Sequence, residues 1–353
     1  MRQKTQPPNS TDSPRPTRRR YTLALALGLG TALLLVGPPR VHADKIIDLL
    51  NVSYDPTREL YRAINDAFTK QYKADTGTAV TVHQSHGGSS TQARAVIDGL
   101  GADVITLALW PDTNQVAKSG LLPLGWEDAL PNHSLPYTST IVFVVRKGNP
   151  KNIHDWPDIV KAGVEIVTPN PKTSGNGKLA FLAAWGSVTV RGGTEDAALA
   201  FVKQLYAQTP VLDLGARAAT TTFVQKKIGD VHLAWENEAR LEVDEAGGDV
   251  EVVYPPISFF AEPHVAVVTK NTEQKGTTEV AKAYLKFLYT PEAQEIIAKN
   301  FYRPTNAEVL ARHRSDFPEL TLFRITDVAK SWDDASARFF GDGGLFDTFY
   351  KPR

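Results

Sequence analysis

The chain has no cysteine, which excludes disulfides, thiol nucleophiles, zinc ribbons and the acylated cysteine of a lipoprotein. Its single methionine is Met1, so nothing downstream carries sulfur. Methionine is an adaptable core filler, and packing does not demand its absence. Economy of sulfur and compositional chance both account for it. Excess charge of either sign is missing as well, with 39 Lys and Arg against 39 Asp and Glu. A chain without a basic surplus lacks the electrostatic footprint of a nucleic-acid binder.

What is present begins with a leader. Arg18, Arg19 and Arg20 precede an uncharged, mostly apolar run from Tyr21 to Val36, and Val41, His42 and Ala43 form a small-residue cleavage pattern. The profile predicts a signal peptide over residues 1–43 and a mature start at Asp44. The run is shorter than the ~20 residues of a membrane span. The leader holds seven basic residues (Arg2, Lys4, Arg15, Arg18, Arg19, Arg20, Arg40) and one acid (Asp12), so its removal takes the net charge from 0 to −6. An anion bound by the mature chain must be met by local geometry rather than by bulk charge.

Beyond Asp44, apolar strand-like runs alternate with amphipathic helical windows, the pattern of an α/β protein. Strands are expected at Ile46–Ser53, Ala79–His83, Asp103–Leu109, Ser139–Val145, Val164–Thr168, Asp230–Trp235, Val250–Tyr254 and His264–Thr269. The mature length exceeds the ~250–300 residues at which a single core stops growing, so two lobes are expected. Proline-containing stretches near Ser139 and Tyr254–His264 are the expected crossovers. They divide the chain into a first lobe (44–136, returning at 259–312), a second lobe (137–258) and a C-terminal helical segment (313–353). The cleft between the lobes is then the expected ligand site.

Four polar loops stand between an expected strand and an expected helix. They are Ser53–Pro56, with Asp55 read as a cap and Pro56 as the first helical residue; Ser85–Ser90; Pro169–Gly177; and Asp213–Arg217. A helix start presents main-chain N–H groups without internal partners at its partly positive end, so an anion is its natural ligand. In open α/β sheets such loops gather along the carboxyl edge of the strands.

These residues carry a resemblance. LLNVSYDPTRELY (Leu49–Tyr61), QSHGGSS (Gln84–Ser90), ADVITLAL (Ala102–Leu109), PYTSTIVFVVRKGNPKNIHDW (Pro136–Trp156), TPNPKTSGN (Thr168–Asn176), VLDLGAR (Val211–Arg217), LAWENEA (Leu233–Ala239) and AYLKFLYTPEAQEIIAKNFYRP (Ala283–Pro304) resemble the periplasmic sulfate-binding protein family. The resemblance implies a two-lobed periplasmic binding protein fold of type II. It also implies a periplasmic, monomeric carrier that delivers sulfate, or thiosulfate, to an ABC-type membrane importer. The implied ligand groups are the main-chain N–H of Asp55, Ser89, Gly175, Asn176 and Ala216, the hydroxyl of Ser174 and the indole N–H of Trp235. Lys178 and Arg217 would stand behind them as nearby charges. Asn176 occupies a position where the family often has glycine. No catalytic residue, cofactor or metal is implied.

Rival readings fare less well. Gly175–Lys178 faintly resembles a phosphate loop, but Lys172 stands at the earlier glycine position and Leu179 follows Lys178. For an anion-binding hydrolase, neither Ser89 nor Ser174 sits in a G-x-S-x-G elbow. His83 and His86 at a strand end are poorly placed as metal ligands. Molybdate stays open as another tetrahedral anion, and a polyamine would call on Asp55, Glu236 and Glu238. A cage made only of donors would reject hydrogen phosphate, whose proton needs an acceptor, unless the Asp55 carboxylate turns inward.

Overall fold

The computed structural model describes residues 46–350. The signal peptide expected over residues 1–43 and the start at Asp44 lie outside the described residues.

Two sheets organise the chain. The first has four strands in the order Val265–Val267, Val104–Thr106, Ile47–Tyr54, Val80–Gly87. Its last three strands run parallel, and Val265–Val267 closes one edge antiparallel. Parallel strands need helices on both faces, which explains their near-continuous apolar sequence. On one face, the helices Arg58–Thr76 and Thr278–Phe287 bring Leu60, Ile64, Phe68 and Tyr284 onto Leu49 and Val104. On the other, Ser89–Ile97 and Trp110–Lys118 bring Ala93, Val96 and Val116 onto Val52 and Ile105. The Arg58–Thr76 helix stops at Gly77, which takes the left-handed conformation (φ 73°) and returns its N–H to the Lys73 carbonyl.

The second sheet has five strands in the order Leu212–Asp213, Ile166–Pro169, Val231–Trp235, Ile141–Arg146, Val250–Val253. The helix Gly175–Thr189 is apolar nearly all round and runs through this lobe's core, where Phe181 and Trp185 are buried.

All eight expected strands are present, with ends shifted by a few residues. Five more, Tyr137–Thr138, Leu212–Asp213, Ile257–Phe259, Arg303–Pro304 and Thr321–Phe323, are too short to leave a periodic signal.

The chain passes between the sheets beside Ser139 and returns beside Ala261. The two residues exchange main-chain hydrogen bonds of 3.1 and 2.9 Å. Arg303–Pro304 pairs with Tyr137–Thr138 just before the first passage. Beyond Arg312 the chain crosses once more: Thr321–Phe323 pairs with Ile257–Phe259, and Phe323, Phe339 and Phe346 enter the second lobe's core.

Candidate functional site

The strand-to-helix loops of both sheets converge on one small cavity. Its wall is built from Tyr54, Asp55, Pro56, Gly87, Gly88 and Ser89 of the first lobe and Ser174, Gly175, Asn176, Ala216 and Trp235 of the second. All seven residues expected to hold a ligand are therefore brought together. The cavity measures about 10 Å³. That is the order of space one water-sized centre needs, and far below the ~300–1,000 Å³ of pockets for larger organic ligands.

Each main-chain donor sits where helix geometry denies it an internal acceptor. Asp55 opens the 3-10 turn Asp55–Thr57, Ser89 opens Ser89–Ile97, and Ala216 opens Ala216–Thr220. Gly175 and Asn176 are the first two residues of Gly175–Thr189. First-turn N–H groups have no carbonyl one turn back. Among the described residues, none of these five donates to another main-chain carbonyl outside its own helix. Ser174 caps its helix by accepting from the Gly177 N–H at 3.4 Å, which leaves its own proton free to donate. Among the described residues, the Trp235 indole N–H is buried without a partner, and the ring packs 5.4 Å from that of Tyr54.

The reading of Asp55 as a helix cap is corrected. Tyr54 is the cap residue, Asp55 is the first residue of the turn, and its side chain makes no capping bond. Pro56, rigid at the second position, moves the turn back by one residue. The Asp55 carboxylate instead accepts from Arg58 at 2.8 Å.

Glycine does more here than admit a ligand. A Cβ on Gly88 would lie 2.4 Å from the Thr173 carbonyl oxygen, one on Gly175 2.6 Å from the Ala108 Cβ, and one on Gly215 2.6 Å from Asp55 Oδ2. Each of these contacts joins a loop of one lobe to a loop of the other. The glycines are what allows the lobes to approach this closely.

Lys178 and Arg217 lie just behind the cavity wall, and both are already paired. Lys178 Nζ reaches across the lobes to Asp112 at 3.2 Å and Ser90 Oγ at 2.7 Å. Asp112, fully buried, also accepts from Ser89 Oγ at 2.6 Å and Ser90 Oγ at 2.9 Å. Arg217 is shared by Glu59, Glu238 and Glu245 at 3.1, 3.2 and 3.2 Å. Burial pushes the Glu238 carboxyl up to about 8, against the pull of Arg217.

The acids Asp112 and Glu59 were not anticipated. Asp112 follows Pro111 in the first turn of its helix, where an acid reads as a routine helix start. Nothing in a linear sequence marks it as facing a lysine 66 residues on. Glu236 and Glu238, the carboxylates a polyamine would need, are committed elsewhere: Glu236 holds Arg303 with two bonds of 2.7 and 2.8 Å, and Glu238 faces Arg217. His83 pairs with Asp48 at 2.9 Å, and His86 contacts the Tyr54 carbonyl at 3.1 Å and Gln84 at 2.7 Å.

Comparison with known proteins agrees with this architecture. Residues 49–303 match the family model described as bacterial extracellular solute-binding protein. The chain is 52% identical over 326 residues to the sulfate-binding protein of Escherichia coli, covering 92% of this chain and 98% of that one. It is 50% identical over 332 residues to the thiosulfate-binding protein of Pseudomonas aeruginosa, covering 94% and 97%. The structure of a sulfate-binding protein from Mycobacterium tuberculosis superposes with a TM-score of 0.76 at 33% identity, covering 83% of this chain and 99% of that one. The fold is that of the two-lobed type II periplasmic binding proteins. With loops of both lobes meeting at one small cavity, the chain belongs to the periplasmic sulfate-binding protein family of bacterial extracellular solute-binding proteins.

Proposed function

We propose that the protein is a periplasmic carrier that encloses sulfate or thiosulfate between its lobes and delivers it to an ABC-type membrane importer. The observation that carries this reading is the set of unpartnered donors, five first-turn N–H groups and the Trp235 indole, around a cavity of about 10 Å³. A dianion buried without partners costs tens of kcal/mol. Charge-assisted hydrogen bonds contribute roughly 1.5–3 kcal/mol each, so seven donors offset much of that cost. The first lobe spans 44–136 and 259–312 and the second 137–258, with 313–353 attached to the second. Export uses the cleaved leader 1–43, and the carrier works as a monomer. It is not an enzyme: the relatives at 50–52% identity are named as sulfate- and thiosulfate-binding proteins.

Two relatives of nearly equal identity bear the names of different ligands, so sulfate and thiosulfate share the first rank. Calorimetric titration of the mature protein with sulfate, thiosulfate, molybdate and spermidine tests the reading. Sulfate or thiosulfate is expected to bind tightest, and Trp235→Phe to weaken that binding by about 1.5–3 kcal/mol. Spermidine binding tighter than either anion, or full affinity in Trp235→Phe, would sink it.

A further inference from the structure

Two buried ion pairs join the lobes, Lys178 with Asp112 and Arg303 with Glu236, and they stand in different places. The Glu236 carboxylate accepts from Arg303 at 2.7 and 2.8 Å, and Arg303 also donates to the Pro318 carbonyl at 2.9 Å. Both partners are anchored to the strand that carries the first passage between the lobes. Arg303 pairs with Thr138, Trp235 pairs with Ile141, and the Glu236 N–H donates to the Thr140 carbonyl at 3.0 Å. The ion pair therefore stands alongside Ser139 and Thr140, the two residues where the chain changes lobe. A hinge concentrates its backbone change in a few such residues, and groups beside its axis move least. Lys178 and Asp112 lie on helices instead, and neither pairs with the crossover strand.

The same edge carries two wall residues from opposite lobes. Trp235 directly precedes Glu236. Asp55 directly precedes Pro56, whose carbonyl accepts from Tyr302 Oη at 2.8 Å, beside Arg303, and from Asn237 Nδ2 at 3.1 Å, beside Glu236. The Tyr54 ring packs against that of Trp235. Its hydroxyl, buried without a partner among the described residues, stands next to those of Tyr137 and Tyr302 and so faces the hinge rather than the anion. Pulling Glu236 from Arg303 would leave a charge unpaired where the side chains are only 1% and 14% exposed, which is strongly destabilising. Motion about an axis beside the pair avoids that cost.

We propose that Glu236 and Arg303 form a hinge pivot that stays paired when the lobes part and keeps the Asp55 N–H and the Trp235 indole N–H in register, so that these two donors receive the anion first. Ser89, Ser174, Gly175, Asn176 and Ala216 then close on it. The inference rests on the reading of the cavity as an oxyanion site and adds the order in which its donors engage. Glu236 and Arg303 do not line the cavity and are positioning residues.

The test separates capture from release. A pivot that prearranges two donors speeds association, whereas a latch formed only on closure slows dissociation. Sulfate binding to the mature protein is followed by stopped-flow fluorescence in the wild type, in Glu236→Gln and in Glu236→Gln combined with Arg303→Met, which strands no charge. Melting temperatures check folding. Association is expected to slow about tenfold in both variants, within the span seen among variants of one interface, while dissociation stays within about twofold. Faster dissociation with unchanged association would make the pair a latch, and two unchanged rates would make it merely structural; either overturns the proposal. A second measurement needs no variant: the Arg303 Nε–H resonance of the wild type is expected to stay protected from solvent exchange with and without sulfate. Protection seen only with sulfate would overturn the pivot. Failure of the wild type to bind sulfate would overturn the site reading itself, which keeps the two failures distinct.

Discussion

The cavity wall and the belt of charged side chains behind it are both made of polar groups taken out of water, and they are treated in opposite ways. In the wall, neutral donors are left without partners: first-turn N–H groups from four helix starts and one indole. In the belt, full charges are cancelled against one another, Lys178 by Asp112 and Arg217 by Glu59 and Glu245, with the buried Glu238 carboxyl beside it. Closing two lobes over a small anion explains the contrast. A bare cation in the wall would be costly to bury in the absence of the anion. A peptide dipole costs less to expose and stays aligned by its helix. The belt locks charge across the lobe boundary, while the wall keeps its donors for whatever enters.

The sharpest way to break this arrangement is to hold the lobes apart. Gly175→Val places a side chain where even a Cβ would meet Ala108 Cβ at 2.6 Å and Ser89 Cβ at 3.4 Å. Overpacking of this kind costs about 3 kcal/mol or more when the neighbours cannot move, and both neighbours belong to the opposite lobe. Sulfate affinity is expected to fall roughly a hundredfold or more, and small-angle scattering to show a larger radius at a given ligand concentration. Because the clash lies between the lobes and not within either core, the melting temperature without ligand should change far less than the affinity. Affinity within threefold of wild type would mean that these loops need not touch.

The wall was legible in the sequence and the belt was not, for a physical reason. The wall is defined locally, by a strand end, a short polar loop and a helix start, so the loops can be found from spacing, and Ser89, Gly175, Asn176 and Ala216 within them are named from the resemblance. Belt contacts are defined by closure. Lys178 and Arg217 could be seen as charges near the loops, but not as charges already spent on Asp112 and Glu59 in the other lobe. Asp55 was misplaced by one helical position because a proline-led 3-10 turn and an α-helical cap share the same residues. The Asn176 amide was invisible for another reason: its partner, Leu233, lies 57 residues away on a different element.

The belt makes its own prediction with pH. Burial raises the Glu238 carboxyl from an ordinary 4.5 to about 8 in the folded chain. Below about pH 4.5 the group is protonated whether the chain is folded or not. Between about pH 4.5 and 8 the unfolded chain gives up this proton and the folded chain keeps it, so stability from this group is lost as pH rises. Melting curves from about pH 5 to pH 9 should show this slope in the wild type. Glu238→Gln cannot ionise and should flatten it, with its largest gain over wild type near pH 9. A variant that loses stability more steeply with rising pH would show that Glu238 is held ionised by Arg217 and that the belt is a tighter ion network than its burial suggests.

The smallest effect is expected at Arg217, although it follows a wall residue directly. The guanidinium is bracketed by three carboxylates at 3.1 to 3.2 Å, so the cluster carries no positive surplus toward the cavity. Glu238 is the buried member of that cluster, and its carboxyl at about 8 is mostly protonated near neutral pH, so removing the arginine strands no obligatory buried charge. The remaining pairs are partly exposed, where an ion pair contributes about 0–1 kcal/mol. Arg217→Met should therefore change sulfate affinity by less than about fivefold, and the dependence of affinity on salt should be the same in both proteins. Calorimetry in dilute buffer and at high salt measures both quantities. A loss of two orders of magnitude, or a salt dependence that vanishes with the arginine, would show that its charge reaches the anion despite its partners. In that case the division between a neutral wall and a cancelled belt would have to be abandoned.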